Sequence, residues 1–129
     1  MLRLWLDDDD NRPVPPGFDL HVKTAQEAID AIASGQISEI SLDHDLGPPE
    51  AGTGYDVAKW IEEQAYLGAI PKLVWSVHSA NPVGAKNIRN ALESAERYWA
   101  QHRRVLESQQ SHESAVLVRY LGAAYRLVH

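Results

Sequence analysis

The chain has no cysteine among its 129 residues, which excludes disulfides and thiolate metal sites and says little about compartment. It also lacks any apolar run near the ~20 residues that span a bilayer, so no membrane partner is expected. The opening stretch, Met1 to Leu6, is too short for a signal-peptide core and runs straight into Asp7–Asp10, so a cytoplasmic protein is the expectation. Positive charge is scarce: 12 Lys and Arg stand against 18 Asp and Glu, a net charge of −6. That balance disfavours gripping long duplex nucleic acid by phosphate neutralisation. It leaves room for a small phosphorylated ligand or an RNA end, approached through a bridging metal ion. There is no internal repeat, low-complexity tract or interior linker. A composition of 44% hydrophobic and 23% charged residues fits one domain over 1–129, with a core at about 2–107 and a C-terminal extension at about 108–129.

What is present is an alternation of β-type and helical segments. Leu2–Leu6 reads as a first strand, its leucines alternating with Arg3 and Trp5. Asp9–Gly17 carries Pro13, Pro15 and Pro16 and cannot be a helix interior. A second strand follows at about Asp19–Val22. Thr24 and Glu27 have capping-box spacing, and Ala25, Ala28, Ile29 and Ile32 form the stripe of a helix that stops at Gly35. The third strand is about Ser38–Leu42. After the Gly47–Gly52 loop, Thr53 and Asp56 repeat the capping-box spacing and open a helix that buries Val57, Ala58, Ile61 and Ala65, ending near Gly68. Leu73–Val77 is almost continuously apolar, as expected of a strand in the middle of a sheet. Asn81-Pro82 is an N-cap followed by proline at the first helical position. That helix, with inner stripe Ile88, Leu92, Ala95 and Trp99, is expected to run to about Glu107. In Glu113–Leu127 the residues Val116, Leu117, Tyr120, Leu121 and Ala124 fit a helix, while Val116-Leu117-Val118 fits a strand; a helix is the expectation. Strands alternating with helices predict right-handed crossovers and a parallel sheet covered on both faces.

Ligands in such folds sit beyond the carboxyl ends of the strands. Three of those ends carry ionisable groups: Asp7-Asp8, Asp43-His44-Asp45 and His78-Ser79. Carboxylates and an imidazole this close together cannot be buried unpaired. They belong either at a solvated strand tip or around a cation. Oxygen ligands without cysteine suit Mg²⁺ or Mn²⁺, with Asp7, Asp8, Asp43 and Asp45 as candidate ligands. Asp9 and Asp10 are expected to face solvent. Extended geometry would send Asp43 and Asp45 to one side and His44 to the other. The free N–H groups at the helix start after His78 make an anion site, with Ser79 and Asn81 at its mouth and Arg12 and Thr53 as further phosphate contacts. A neutral His78 takes a proton from water and a protonated one hands a proton to a leaving oxygen; His44 is a second candidate for that chemistry, and a structural role fits it equally. The same residues have plainer uses: Asp7-Asp8 as an acidic surface cap, and Ser79 and Asn81 as helix caps.

Leu6-Asp7-Asp8 with Arg12 and Pro13, Ser41-Leu42-Asp43-His44-Asp45-Leu46-Gly47, Gly52-Thr53-Gly54-Tyr55-Asp56 and His78-Ser79-Ala80-Asn81-Pro82-Val83-Gly84 occur in this order. Together they resemble the cyclic-phosphate-processing receiver domain family, an offshoot of the response-regulator receiver fold. The resemblance covers roughly Leu2 to Leu92. It implies a receiver-like, flavodoxin-like three-layer α/β sandwich around a central parallel sheet, here with the first helix reduced to a loop and an extra C-terminal helical segment. It matches Asp7 and Asp8 to the acidic pair that holds Mg²⁺, Asp43 to the aspartate that ordinary receivers phosphorylate, and Ser79 to their hydroxyl residue after the fourth strand. His44 and His78 are additions that an ordinary receiver does not need. The implied activity is metal-dependent hydrolysis of a cyclic phosphate, such as a 2′,3′-cyclic nucleotide or an RNA 3′ end. A non-catalytic binding module and a degenerate signalling or scaffold receiver are the rival readings. The lysine that follows a receiver's fifth strand has no counterpart, the lysines being Lys23, Lys59, Lys72 and Lys86, which tells against a phosphoacceptor.

Overall fold

Four short strands pair in parallel: β1 (Leu2–Leu6), β2 (Leu20–Val22), β3 (Ile37–Leu42) and β4 (Val74–Val77), in the order β2-β1-β3-β4. They belong to a computed structural model that describes the backbone over residues 1–128 and side chains over residues 1–110. Three helices separate and follow them: α1 (Ala25–Ala33), α2 (Gly54–Leu67) and α3 (Pro82–Val128). The architecture is the receiver-like, flavodoxin-like α/β fold. Contacts within the chain divide it into two compact units, Met1–Trp99 and Ala100–His129.

In the first unit, alternation along the strands sorts the side chains. Leu4, Leu6, Ile40 and Leu42 are fully buried and share one apolar cluster with Val57 and Ile61 of α2, Ile88 and Leu92 of α3, and Ala28 and Ile32 of α1. Each such aliphatic side chain contributes about 1.5–3 kcal/mol by leaving water. The expected caps are in place. Thr24 accepts the Glu27 N–H, and Thr53 and Asp56 form a reciprocal capping box. Gly68 closes α2 in the left-handed region at φ 67°. Two indoles fasten α3: Trp75 donates to Glu96 (3.0 Å), and Trp99 donates to the Ile70 carbonyl (3.1 Å).

The opposite face of the sheet carries Arg3, Trp5, Glu39 and Ser41, since each alternates with a core residue. Its cover is the proline-rich loop, not a helix: Phe18 packs edge-on against Trp5 at 5.1 Å, and Arg3 lies over the Phe18 ring at 4.4 Å. β4 corrects one expectation. It lies at the edge of the sheet among the described residues, and Val74 is 60% exposed, because it points away from the apolar cluster where no further strand flanks it.

The last helix also differs from expectation. It does not end at about Glu107, since no proline or glycine interrupts 85–121. In the second unit, Arg103 pairs with Glu107 at 3.9 Å. The backbone of 113–127 is helical, while the stripe Val116, Leu117, Tyr120, Leu121 and Ala124 concerns side chains outside the described residues. No helix among the described residues is long and apolar enough to cross a membrane.

Candidate functional site

β1, β3 and β4 run parallel, so their carboxyl ends fall together. β1 delivers Asp7, β3 delivers Asp43, and β4 delivers His78. The register is fixed by Leu6 pairing with Leu42 and Leu42 with Val77. Backbone bonds carry it one residue further, from Asp43 N–H to Leu6 O (3.0 Å) and from His78 N–H to Leu42 O (3.0 Å).

Asp7 is fully buried and Asp43 is 7% exposed. Each has one oxygen tied to backbone: Asp7 Oδ1 accepts the Asp9 N–H (2.9 Å), and Asp43 Oδ1 accepts the His44 N–H (2.8 Å). Their second oxygens face a shared space. Arg12 Nη1 approaches Asp7 Oδ2 at 3.1 Å and Asp43 Oδ2 at 3.8 Å while donating to the His78 carbonyl at 2.9 Å. His78 Nε2 stands 3.4 Å from Asp7 Oδ2. Neither contact to Asp7 Oδ2 has hydrogen-bond geometry, so Asp7 Oδ2 and His78 Nε2 are buried polar atoms without hydrogen-bond partners. Such orphans are costly unless a ligand satisfies them.

His78 is held from two other sides. Its ring stacks on Trp5 with centroids 3.7 Å apart and planes 7° from parallel, and Nδ1 shares a hydrogen bond with Ser41 Oγ at 2.7 Å. Burial is the main reason its pKa falls from 6.5 to about 4; Asp7 pulls it back up, while Arg12 lowers it further. The imidazole is therefore neutral at physiological pH, with a lone pair available to accept a proton or a metal. Asp43 is raised above its ordinary value, first by desolvation and then by Asp7, against the His44 N–H, Arg12 and the Ser79 hydroxyl.

Asp7, Asp43 and His78 each offer one ligand atom, all within 4.8 Å of one another, a group able to hold a metal ion. The donor set of two carboxylate oxygens and one neutral imidazole suits a divalent cation, and the two orphaned atoms are among those donors. Beside the group lies an open cleft lined by Asp8, Asn11, Arg12, Asp43, Asp45 and Ala80, among others.

A family model described as the cyclic-phosphate processing receiver domain matches residues 2–94. The chain belongs to that family. No curated protein and no solved structure matches it.

Several residues of this receiver domain stand elsewhere than expected. Asp8 is exposed and lines the cleft, but is not part of the Asp7–Asp43–His78 group. Asp45 does not project beside Asp43, because β3 ends at Leu42 and strand alternation stops there. Its exposed carboxylate instead meets His44 Nδ1 at 2.8 Å and Asn81 Nδ2 at 3.5 Å. The His44 bond is the chief cause that holds the Asp45 carboxyl below its usual range. His44, a candidate for catalysis, is likewise outside the group, engaged with Asp45 and packed under Gly84. Thr53, expected to meet phosphate, uses its hydroxyl to accept the Asp56 N–H as the α2 cap. Asn81 accepts the Gly84 N–H (3.0 Å) and caps α3, while Ser79 Oγ accepts the Asn81 N–H (3.1 Å). Trp5, Ser41 and His21, whose Nε2 meets the Asp7 carbonyl at 2.8 Å, were not among the expected site residues. Ser41 lies inside the third-strand motif, which was the available signal. Trp5 and His21 read as ordinary strand residues.

Proposed function

We propose that the domain hydrolyses a cyclic phosphodiester of the 2′,3′-cyclic nucleotide or RNA 3′-end type, with Mg²⁺ or Mn²⁺ held by Asp7 and Asp43. The observation that carries this reading is the pair of orphaned buried atoms, Asp7 Oδ2 and His78 Nε2, 3.4 Å apart and grouped with Asp43, which lines the cleft. When bound, the cation supplies positive charge against the phosphate oxygens, in a cleft whose aspartates would otherwise repel them. The chain's own residues do the rest. Neutral His78 accepts a proton from water at Nε2 as the water oxygen attacks phosphorus. A ring P–O bond breaks, and the imidazolium returns that proton to the leaving ribose oxygen, giving a monoester. Trp5 and Ser41 fix the ring in place, and with Nδ1–H donating to Ser41 Oγ the lone pair of the neutral ring lies on Nε2, facing the site. Arg12 lines the cleft where the phosphate would lie, and Ser79 precedes Ala80, which also lines it.

A second reading keeps the chemistry and changes one role: because His78 Nε2 belongs to the three-atom group, it also suits a metal ligand. Product analysis after incubation with a 2′,3′-cyclic nucleotide and Mn²⁺ tests both. Wild type should yield a nucleoside monophosphate, and His78→Ala should lose ~10²–10⁴-fold in rate. If His78→Ala still binds Mn²⁺, the base role holds; if binding goes too, His78 is a ligand. Wild-type protein that binds the cyclic nucleotide and leaves it intact would replace hydrolysis with a sensor role.

A further inference from the structure

Arg12 contacts the same two oxygens that a cation would need. Asp7 Oδ1 and Asp43 Oδ1 are committed to backbone N–H groups, so Asp7 Oδ2 and Asp43 Oδ2 are what each carboxylate has left, and Arg12 Nη1 faces both, at 3.1 and 3.8 Å. A guanidinium and a divalent cation repel one another strongly at such range inside a partly desolvated site, so the two cannot share these oxygens. Arg12 is also placed to leave. It sits in the irregular loop between β1 and β2, its side chain is one-third exposed, and it lines the cleft beside Asn11 and Ala80. Its remaining anchor is one hydrogen bond, to the His78 carbonyl.

We propose that Arg12 is an exchangeable cation: it neutralises Asp7 and Asp43 until a divalent metal takes their free oxygens, and it then turns into the cleft to bind the phosphate. The idea rests on the metal-site reading above and adds an order to it, metal before phosphate. Without the Arg12 charge, two buried carboxylates would face one another with no cation between them, which would weaken the fold. A guanidinium suits both duties, because its planar fork pairs with carboxylate and phosphate alike.

The test uses the full chain, Mn²⁺ calorimetry, thermal unfolding with and without Mn²⁺, and inorganic phosphate as the anion probe. Arg12→Gln should bind Mn²⁺ about tenfold tighter than wild type, since the competing charge is gone. It should unfold at lower temperature than wild type in chelator, with the difference closing in saturating Mn²⁺. In Mn²⁺ it should bind phosphate about tenfold more weakly. Arg12→Lys, which keeps the charge, should stay near wild type in metal affinity and serves if the glutamine variant folds poorly. Equal or weaker Mn²⁺ binding by Arg12→Gln, with wild type binding normally, would overturn the exchange and leave the metal site standing. Absence of Mn²⁺ binding by wild type would overturn the metal-site reading and this inference together.

Discussion

Gly54→Ala should damage the site from behind. Gly54 is the first residue of α2, buried beneath the Asp43 segment. A Cβ there would overlap the Asp43 carbonyl oxygen and come within 2.8 Å of the Asp43 carbonyl carbon and 3.1 Å of Ile88 Cδ1. Two of those three atoms are backbone, so no rotamer change relieves the overlap; α2 and the Asp43 strand end must move apart. Overpacking a tight contact costs ~1–3 kcal/mol, and a clash with fixed backbone belongs at the upper end. The move also strains the bond from Gly54 N–H to the His44 carbonyl (2.9 Å), which contributes about 1 kcal/mol. Alanine's better helix propensity returns at most about 1 kcal/mol. The net loss is about 3 kcal/mol, or ~12–24 °C in Tm at the ~4–8 °C per kcal/mol that applies to a unit the size of Met1–Trp99. Thermal unfolding and Mn²⁺ calorimetry on the variant measure both halves, since a displaced Asp43 should also weaken metal binding. A Gly54→Ala protein with wild-type Tm and wild-type Mn²⁺ affinity would refute the reasoning, because it would mean that α2 does not position Asp43.

Other substitutions separate neighbouring residues from the site. Gly84→Ala places its Cβ on the His44 ring, overlapping Cγ, so the ring must shift and the stability loss should be ~1–3 kcal/mol by thermal unfolding. Mn²⁺ affinity should be untouched; a large fall would put His44 back among the ligands. Thr53→Ala removes the α2 cap and should cost ~0.5–2 kcal/mol by denaturant titration. Phosphate affinity should be unchanged, and its loss would restore Thr53 as a phosphate contact. For pH, His78 has a folded pKa of about 4 against 6.5 when exposed. The unfolded chain therefore binds a proton in that window that the native chain does not, and stability falls as pH drops from 6.5 toward 4. Asp43 acts in the opposite sense. Its raised pKa favours the native state below 3.8, and that contribution is lost as pH rises through the folded pKa. Denaturant midpoints at pH 7 and pH 5 should show a drop in wild type that is smaller in His78→Asn. Identical drops would show that His78 is not buried as a neutral base.

The elements were legible wherever a local rule acted alone. Thr24 with Glu27, Thr53 with Asp56, and Asn81-Pro82 announce three helix starts because capping is a contact between residues near in sequence. The meeting of Asp7, Asp43 and His78 was legible for a different reason: parallel strands bring their carboxyl ends together, whatever the loops do. Legibility ended at the last paired residue of each strand. Beyond Leu42 the backbone leaves the pleat, so alternation could not place His44 and Asp45, which pair with each other. Ser41 and Trp5 were missed because a small polar residue and an aromatic one inside strands look like filler until their partner, His78, is seen across the sheet. Val74 misled in the other direction. An apolar run suggests a central strand, but the sheet order that leaves β4 at the edge is a non-local property. The grip of Arg12 on two carboxylates was equally hidden, since an arginine in a proline-rich loop ordinarily faces water.

The most direct measurement of the central claim is Mn²⁺ calorimetry on wild type and Asp43→Asn. Three strand ends converging on one cation predict a single site per chain in wild type. Changes even in groups behind the ligands commonly cost 10–100-fold in metal affinity, so replacing Asp43 itself should weaken binding by about 100-fold or more. Unchanged Mn²⁺ affinity in Asp43→Asn would contradict the account, because the metal would then sit somewhere other than between Asp7 and Asp43.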